Sequence, residues 1–393
     1  MKSFAIVLVC YNRINGLKRL AESLLKADYS GRSDIDLIFS IDNSGTKIIE
    51  EYARGYEWPF GQKYIRTFEN RQGLKNHVLQ CGDLTEKYDV VCVLEDDLYV
   101  SNCFFQYASQ AADFYWNDDS VAGISLYTFQ KNWLKWHFRF EPMRMCYDTF
   151  FMRVAMSWGQ VWTSPKWKQF KKWYNENSVF IKTDNIPEYL NEWPDSSWLK
   201  YHTRYCIETN RYFVYPYDSL STNFSDAGSH ANRTTNDHQV ELIFDKADYN
   251  FPLFSGQAVI YDEYMDRIGL GEVLGVPDED LTVDFYNTKR LVKYKRFLLS
   301  TSKHNYLIVD RFALSLRPIE ASVLLNIKGE GIYLYDTTMP TKNHYHFNPR
   351  YELELYFLRS HEFLVYLPLS VMLACMELFQ LFSKRLKKLF NVK

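Results

Sequence analysis

The run Val90-Val91-Cys92-Val93-Leu94-Glu95-Asp96-Asp97-Leu98 constrains this chain more than any other stretch: an apolar segment suited to a strand covered on both faces ends in three adjacent carboxylates. Apolar residues carry such a strand through a core, so the acidic triplet emerges at its carboxyl end, where open α/β sheets place their ligand crevices. Three anions this close repel one another and require a counter-charge. For oxygen ligands the usual one is a hard divalent cation. The alternative is a solvated acidic turn, and the surrounding sequence decides between the two.

Upstream, strand and helix patterns alternate. Phe4-Ala-Ile-Val-Leu-Val-Cys10 is a continuous apolar strand, and Leu17, Leu20 and Leu24 form the stripe of a helix for which Asn12 and Asn15 are candidate caps. A second strand, 35–41, stops at Asp42-Asn43-Ser44-Gly45 and leads into a helix at 47–56. A third, 63–68, is followed by Glu69-Asn70-Arg71-Gln72-Gly73 and a helix to Gly82. After the acidic-ended fourth strand come a helix at 102–115 and a fifth strand at 121–127. This alternation predicts an α/β fold with a doubly wound, mostly parallel sheet. The first strand is not followed by GxGxxG, which disfavours a dinucleotide dehydrogenase.

In a parallel sheet the loops after successive strands share one edge. That edge would hold Tyr11-Asn12-Arg13, Asp42-Asn43-Ser44, Arg71-Gln72-Gly73 with Lys75, and the acidic triplet. Asp42 suits hydrogen bonds from a base or ribose, Arg13, Arg71 and Lys75 suit phosphates, and Asp97 suits a bridging metal. Each has a plainer alternative: Asp42-Asn43-Ser44-Gly45 is also a helix-capping turn, and Arg71 and Lys75 also suit a solvated surface. Together they favour a nucleotide-diphosphate site.

Charge excludes one large class of partner. Forty-six basic residues against forty-eight acidic ones leave a formal charge of −2, so no global basic field points to nucleic acid. The seven cysteines form no CxxC pair, and those at 10 and 92 lie inside apolar runs, as buried free thiols of a reducing compartment do. The first strand begins almost at Met1, which leaves no room for a signal peptide and gives the expectation of a cytoplasmic protein.

The segments IVLVCYNR, SIDNSG, ENRQGLKNH and VLEDDLYVS, in that order, resemble family 2 glycosyltransferases of the GT-A fold. The Glu95-Asp96-Asp97 triplet, Ser157-Trp158-Gly159, Trp193-Pro-Asp-Ser-Ser-Trp198 and Asn223-Phe-Ser-Asp-Ala-Gly-Ser-His230 are similar to animal N-acetylglucosaminyltransferase I. The likeness covers about residues 3–240. It implies a nucleotide-sugar donor across the strand ends, with Asp42 near the nucleoside, Asp97 on Mn²⁺ or Mg²⁺, and Glu95 and Asp96 orienting metal-bound water and sugar hydroxyls. It further implies Trp158 as an apolar wall and His230 as a group closing over the diphosphate or ligating the metal. The acceptor hydroxyl would attack the opposite face of the anomeric carbon, inverting it. Where the animal enzyme carries adjacent aspartates before the second tryptophan, this chain has Ser196 and Ser197, leaving Asp195 as the nearest acid. Asp195 is the candidate base, on the expectation that partial burial beside Trp193 and Trp198 raises its pKa; capping a helix from Ser196 is the alternative. A nucleotidyltransferase of similar sheet, or a sugar-binding scaffold without turnover, are the competing functions.

This divides the chain into a GT-A domain at 1–245, an accessory α+β region at 246–360 with strands near 297–300, 306–309 and 331–335, and a tail at 361–393. In the tail Leu378, Phe379, Phe382, Leu386, Leu389 and Phe390 recur at helical spacing with Lys384, Arg385, Lys387 and Lys388 between them. Such a basic amphipathic helix fits an anionic membrane surface, and a helix packed on the body is the alternative. The expectation is therefore an enzyme peripheral to the inner face of a bacterial plasma membrane, acting on a glycan or lipid-linked acceptor in surface polysaccharide synthesis.

Overall fold

Phe4–Cys10 is buried at every residue, the mark of a strand flanked on both edges and covered on both faces. The computed structural model describes residues 2–184, 186–226, 236–254, 258–289, 293–345 and 352–358, with scattered residues between 367 and 382. In chain order the elements are β1 (Phe4–Cys10), α1 (Ile14–Leu25), β2 (Ile35–Ile41), α2 (Ile48–Gly55), β3 (Lys63–Thr67), α3 (Leu74–Gly82), β4 (Val90–Glu95), β5 (Leu98–Val100), α4 (Phe104–Phe114) and β6 (Val121–Ser125). They continue with β7 (Thr149–Met152), β8 (Gln160–Thr163), α5 (Ser164–Glu176), α6 (Glu188–Glu192), α7 (Trp198–Thr209), β9 (Tyr212–Pro216), β10 (Ser221–Asn223) and β11 (Ile260–Tyr261). The last stretch holds α8 (Gly271–Leu274), β12 (Leu281–Asp284), β13 (Phe297–Ser300), β14 (Tyr306–Ala313), α9 (Ile319–Leu324), β15 (Gly331–Pro340) and α10 (Glu352–Leu358).

The expected α/β architecture is present. A nine-stranded, mostly parallel sheet has the order β11-β7-β9-β6-β8-β4-β1-β2-β3, with β1 parallel to both β2 and β4. Period-two alternation splits its core: Phe4, Ile6, Leu8 and Cys10 of β1 face one layer with Leu17, Leu20 and Leu24 of α1, while Ala5, Val7 and Val9 face the other with Trp162 and Trp167. Burying each of those leucines stabilises the fold by about 2 kcal/mol. β6 does not lie next to β4. The antiparallel β8 sits between them, Val90 opposite Thr163 and Ile124 opposite Val161. Four residues are too few for a periodicity signal, and only the pairing reveals this strand. One expectation is corrected at α1, whose N-cap is Arg13 with no side-chain cap bond; Asn12 precedes the helix and Asn15 lies inside it.

On the second face, His202 of α7 is fully buried in an aromatic cage, stacked on Phe170 at 4.1 Å and 11°. Burial pushes its pKa down to about 3.

A separate sheet, β12-β13-β15-β14, forms the second unit over a core that includes Leu299, Phe312 and Leu334. The division expected at 245 is crossed in both directions. β11 completes the edge of the large sheet by pairing with β7, and Phe138, far upstream, is buried in the second unit's core. Of the tail, Val371, Met376, Leu378, Phe379 and Phe382 are exposed, while Leu386, Leu389, Phe390 and the four basic residues lie outside the described residues. Among the described residues no helix is long and apolar enough to cross a membrane.

Candidate functional site

β4 delivers the acidic triplet to the carboxyl edge, where Glu95 is half-buried and Asp96 and Asp97 are buried. Charges so enclosed persist only when paired. The partner is Arg13, at the N-cap of α1: its guanidinium reaches Asp96 Oδ1 at 2.5 Å and Asp97 Oδ2 at 2.8 Å. The counter-charge that the sequence assigned to a metal is thus supplied in part by the chain itself. Arg13, expected on a phosphate, is engaged with carboxylates. Close packing fixes this geometry, because a Cβ on Gly16 of α1 would lie 2.4 Å from the carbonyl oxygen of Asp96.

The electrostatics follow. Burial pushes Glu95 up to about 8, reinforced by Asp97 and opposed by Arg13. Burial likewise pushes Asp96 up to about 6, against the pull of Arg13. For Arg13 burial works against the charge, but Asp96 and Asp97 outweigh it and hold the guanidinium more firmly protonated. One atom is left over: Asp97 Oδ1 is buried without a hydrogen-bond partner. An orphaned anionic oxygen fits a hard cation. Among the described residues no group of three metal-ligating side chains is gathered, so Asp97 would be the principal protein ligand.

The second half of the sequence supplies the other wall. β10 pairs antiparallel with β5, and Phe224 N–H donates to the Asp97 carbonyl at 3.1 Å. The Arg19 guanidinium lies 3.6 Å over the Phe224 ring and pairs with Asp226. His238 N–H donates to Ser225 Oγ at 3.3 Å, and the His238 ring leans on Trp158 at 4.5 Å and 38°. Burial lowers the His238 pKa, partly offset by Asp237 and by Asp97, whose charge is within reach. Trp158 is half-buried, with its ring meeting Tyr127 edge-on at 4.8 Å. His230 lies outside the described residues. His238, eight positions later, was missed because no motif marks it; a second histidine in the same polar stretch was its only signal.

The remaining expected residues are placed differently. Asp42 is buried, and its carboxylate accepts from the backbone N–H of Asn43 (2.8 Å), Gln72 (2.7 Å) and Gly73 (3.0 Å). It ties the β3–α3 turn to the end of β2, whereas the alternative expected was a capping turn at 42–45 itself. Asn12 is exposed at the strand end. Arg71 is exposed, with its guanidinium 5.0 Å from the Tyr11 ring, and Lys75 Nζ sits 4.9 Å from that of Tyr201. Asp195 is the clearest correction. Its side chain is 75% exposed, and Lys200 Nζ, at 2.9 Å, holds its pKa below the usual carboxylate range. The burial that would have made it a tuned base is absent, because Trp198 turns into the core while Asp195 stays on the loop before α7.

Residues 5–176 match the model of glycosyl transferase family 2. The matched stretch runs from β1 through α5 and contains Arg13, Asp42, the acidic triplet and Trp158, while Asp226 and His238 lie beyond it. No curated protein matches the sequence. Among solved structures, S. aureus TarS 1-349 in complex with UDP is similar at 15% identity and a TM-score of 0.36, covering 56% of this chain and 59% of that one. The mannosyltransferase PcManGT from Pyrobaculum calidifontis, in complex with GDP-Man and Mn2+, is similar at 11% identity and a TM-score of 0.38, covering 58% and 59%. The chain therefore spans 59% of the length of each of these two.

Proposed function

We propose that this protein is a metal-dependent inverting glycosyltransferase that moves a sugar from a nucleotide-diphosphate donor to a hydroxyl of a glycan or lipid-linked acceptor. The observation that carries this reading is the orphaned Asp97 Oδ1, in a carboxylate pair bridged by the single guanidinium of Arg13, at the strand-end edge of the stretch that matches family 2. Asp97 would hold Mn²⁺ or Mg²⁺, which when bound offsets the negative charge of the leaving diphosphate. Arg13 keeps Asp96 and Asp97 in register for it. The sugar moved is a hexose or an N-acetylhexosamine.

In the transfer, the acceptor oxygen attacks the anomeric carbon from the face opposite the diphosphate. The new C–O bond forms as the old one breaks, and the nucleoside diphosphate leaves with the bonding pair. The hydroxyl proton passes to a carboxylate. We assign that role to Asp226, which pairs with Arg19 two residues after the Phe224 bonded to the acidic turn, in place of the solvent-exposed Asp195.

The exposed apolar side chains of the tail, with the basic residues that follow them in the sequence, support docking on an anionic membrane surface. That location suits a bacterial enzyme of surface polysaccharide synthesis. Incubation with a panel of UDP- and GDP-sugars, with and without Mn²⁺, tests the activity. Nucleoside diphosphate released with a glycosylated product is expected. Pyrophosphate would indicate nucleotidyl transfer, and ligand binding with neither product a scaffold.

A further inference from the structure

Residues 131–139, within the stretch that matches family 2, form a hairpin closed by an antiparallel bridge between Lys131 and Arg139. It is rigid for its length. Asn132 N–H donates to the Phe138 carbonyl at 2.9 Å and Phe138 N–H to the Lys135 carbonyl at 2.7 Å, while Asn132 Oδ1 accepts from the backbone N–H of Leu134 and Lys135. One side of the hairpin is anchored in the second unit, where the buried Phe138 stacks on Phe357 at 4.7 Å and 17°. Lys131 Nζ, at 3.5 Å from Asp237, ties its base to the segment that carries His238.

What this framework presents is Trp136. This residue is 44% exposed, unusual for the largest apolar residue, and its ring meets His238 at 5.1 Å and 63°. His238 in turn leans on Trp158. Three rings therefore step outward from the strand ends to solvent: Trp158, His238, Trp136. An exposed indole on a preorganised support beside a polar site is suited to the C–H face of a pyranose, which it covers at little cost in side-chain entropy.

We propose that Trp136 is the platform on which the pyranose of the acceptor stacks, and that the second unit serves the reaction by holding the hairpin in place. This rests on the transferase reading above. The position outside His238 assigns Trp136 to the acceptor, which arrives from solvent, while the donor diphosphate belongs at the buried Asp97.

The test uses the full chain, the nucleotide sugar selected by the panel, and octyl glycosides of glucose, galactose, mannose and N-acetylglucosamine as acceptor probes. Trp136→Ala should raise the acceptor KM about tenfold with kcat changed less than about threefold, and Trp136→Phe, which keeps an aromatic face, should restore most of the loss. In saturation-transfer NMR with nucleoside diphosphate bound, pyranose protons should receive magnetisation from the wild type and lose it in the Ala variant. An unchanged KM in Trp136→Ala, contact that persists in that variant, or a wild type that contacts none of the glycosides overturns the assignment. Donor-induced rises in Tm, read on the same samples, separate the two levels. If no nucleotide sugar raises the wild-type Tm, the transferase reading fails and the platform with it; if the rise is present but glycoside contact is not, the platform alone fails.

Discussion

Arg13 donates to Asp97 Oδ2 at 2.8 Å and leaves Oδ1 of the same buried carboxylate without a partner. The acidic turn is thus balanced on one side and open on the other. Mn²⁺ should stabilise the wild-type protein by mass action, by about 2.7 kcal/mol at a hundredfold excess over Kd. Asp97→Asn should lose that response and nearly all transfer. An Asn variant that still gains Mn²⁺-dependent stability and transfers normally would sink the metal assignment.

Removing the other partner should be felt in the fold itself. Arg13→Met leaves Asp96 buried with no cation, at a cost of about 3 kcal/mol by urea denaturation, in the range for breaking a buried pair. Saturating Mn²⁺ should recover part of that loss. A change below about 0.5 kcal/mol would mean that the pair contributes no more than an exposed one.

The two candidate bases separate by substitution. Asp226→Asn should lower transfer by roughly two to four orders of magnitude with donor binding retained, as expected for loss of a general base. Asp195→Asn should remain near wild type, since it alters only an exposed contact to Lys200. The opposite pattern would return the role to Asp195.

His202 sets a pH dependence. Its pKa falls from 6.5 to about 3 on burial, so between these values the unfolded chain binds a proton that the native one does not. Stability is fully present above pH 6.5 and is lost as the pH falls through this window, by up to about 1.4 kcal/mol per unit. His202→Phe should flatten the acid limb. Equal losses for both proteins between pH 7 and pH 5 would assign that limb to other groups.

A chain ended after residue 360 should lose binding to phosphatidylserine vesicles, because the apolar stripe and the basic cluster go together. Raising salt should weaken full-length binding only in part, since screening removes the lysine contribution and spares the apolar one. Undiminished binding by the shortened chain would place the membrane contact elsewhere.

The parallel half of the large sheet was legible because β1, β2 and β4 are long apolar runs with polar stops, and the acidic edge was legible for the same reason. What could not be read was pairing across the chain. Nothing local shows that Arg13 meets carboxylates more than eighty residues away, or that Asp42 spends its lone pairs on the turn after β3. β8 and β10 are too short to carry a period, so the antiparallel insertion and the wall bearing Asp226 and His238 emerge only in three dimensions. Asp195 misled because two neighbouring tryptophans suggest a dry environment, whereas only Trp198, on the inner face of α7, is fully buried.

The crossing of β11 into the large sheet and of Phe138 into the second unit makes the two halves interlocked rather than merely adjacent. Severing the chain near 245 would take an edge strand from the first half and a core ring from the second, so neither fragment could reproduce its own native surface. A protein joined in this way is inherited, folded and lost as one piece, and any sliding of one half against the other must carry the acceptor-side hairpin with it.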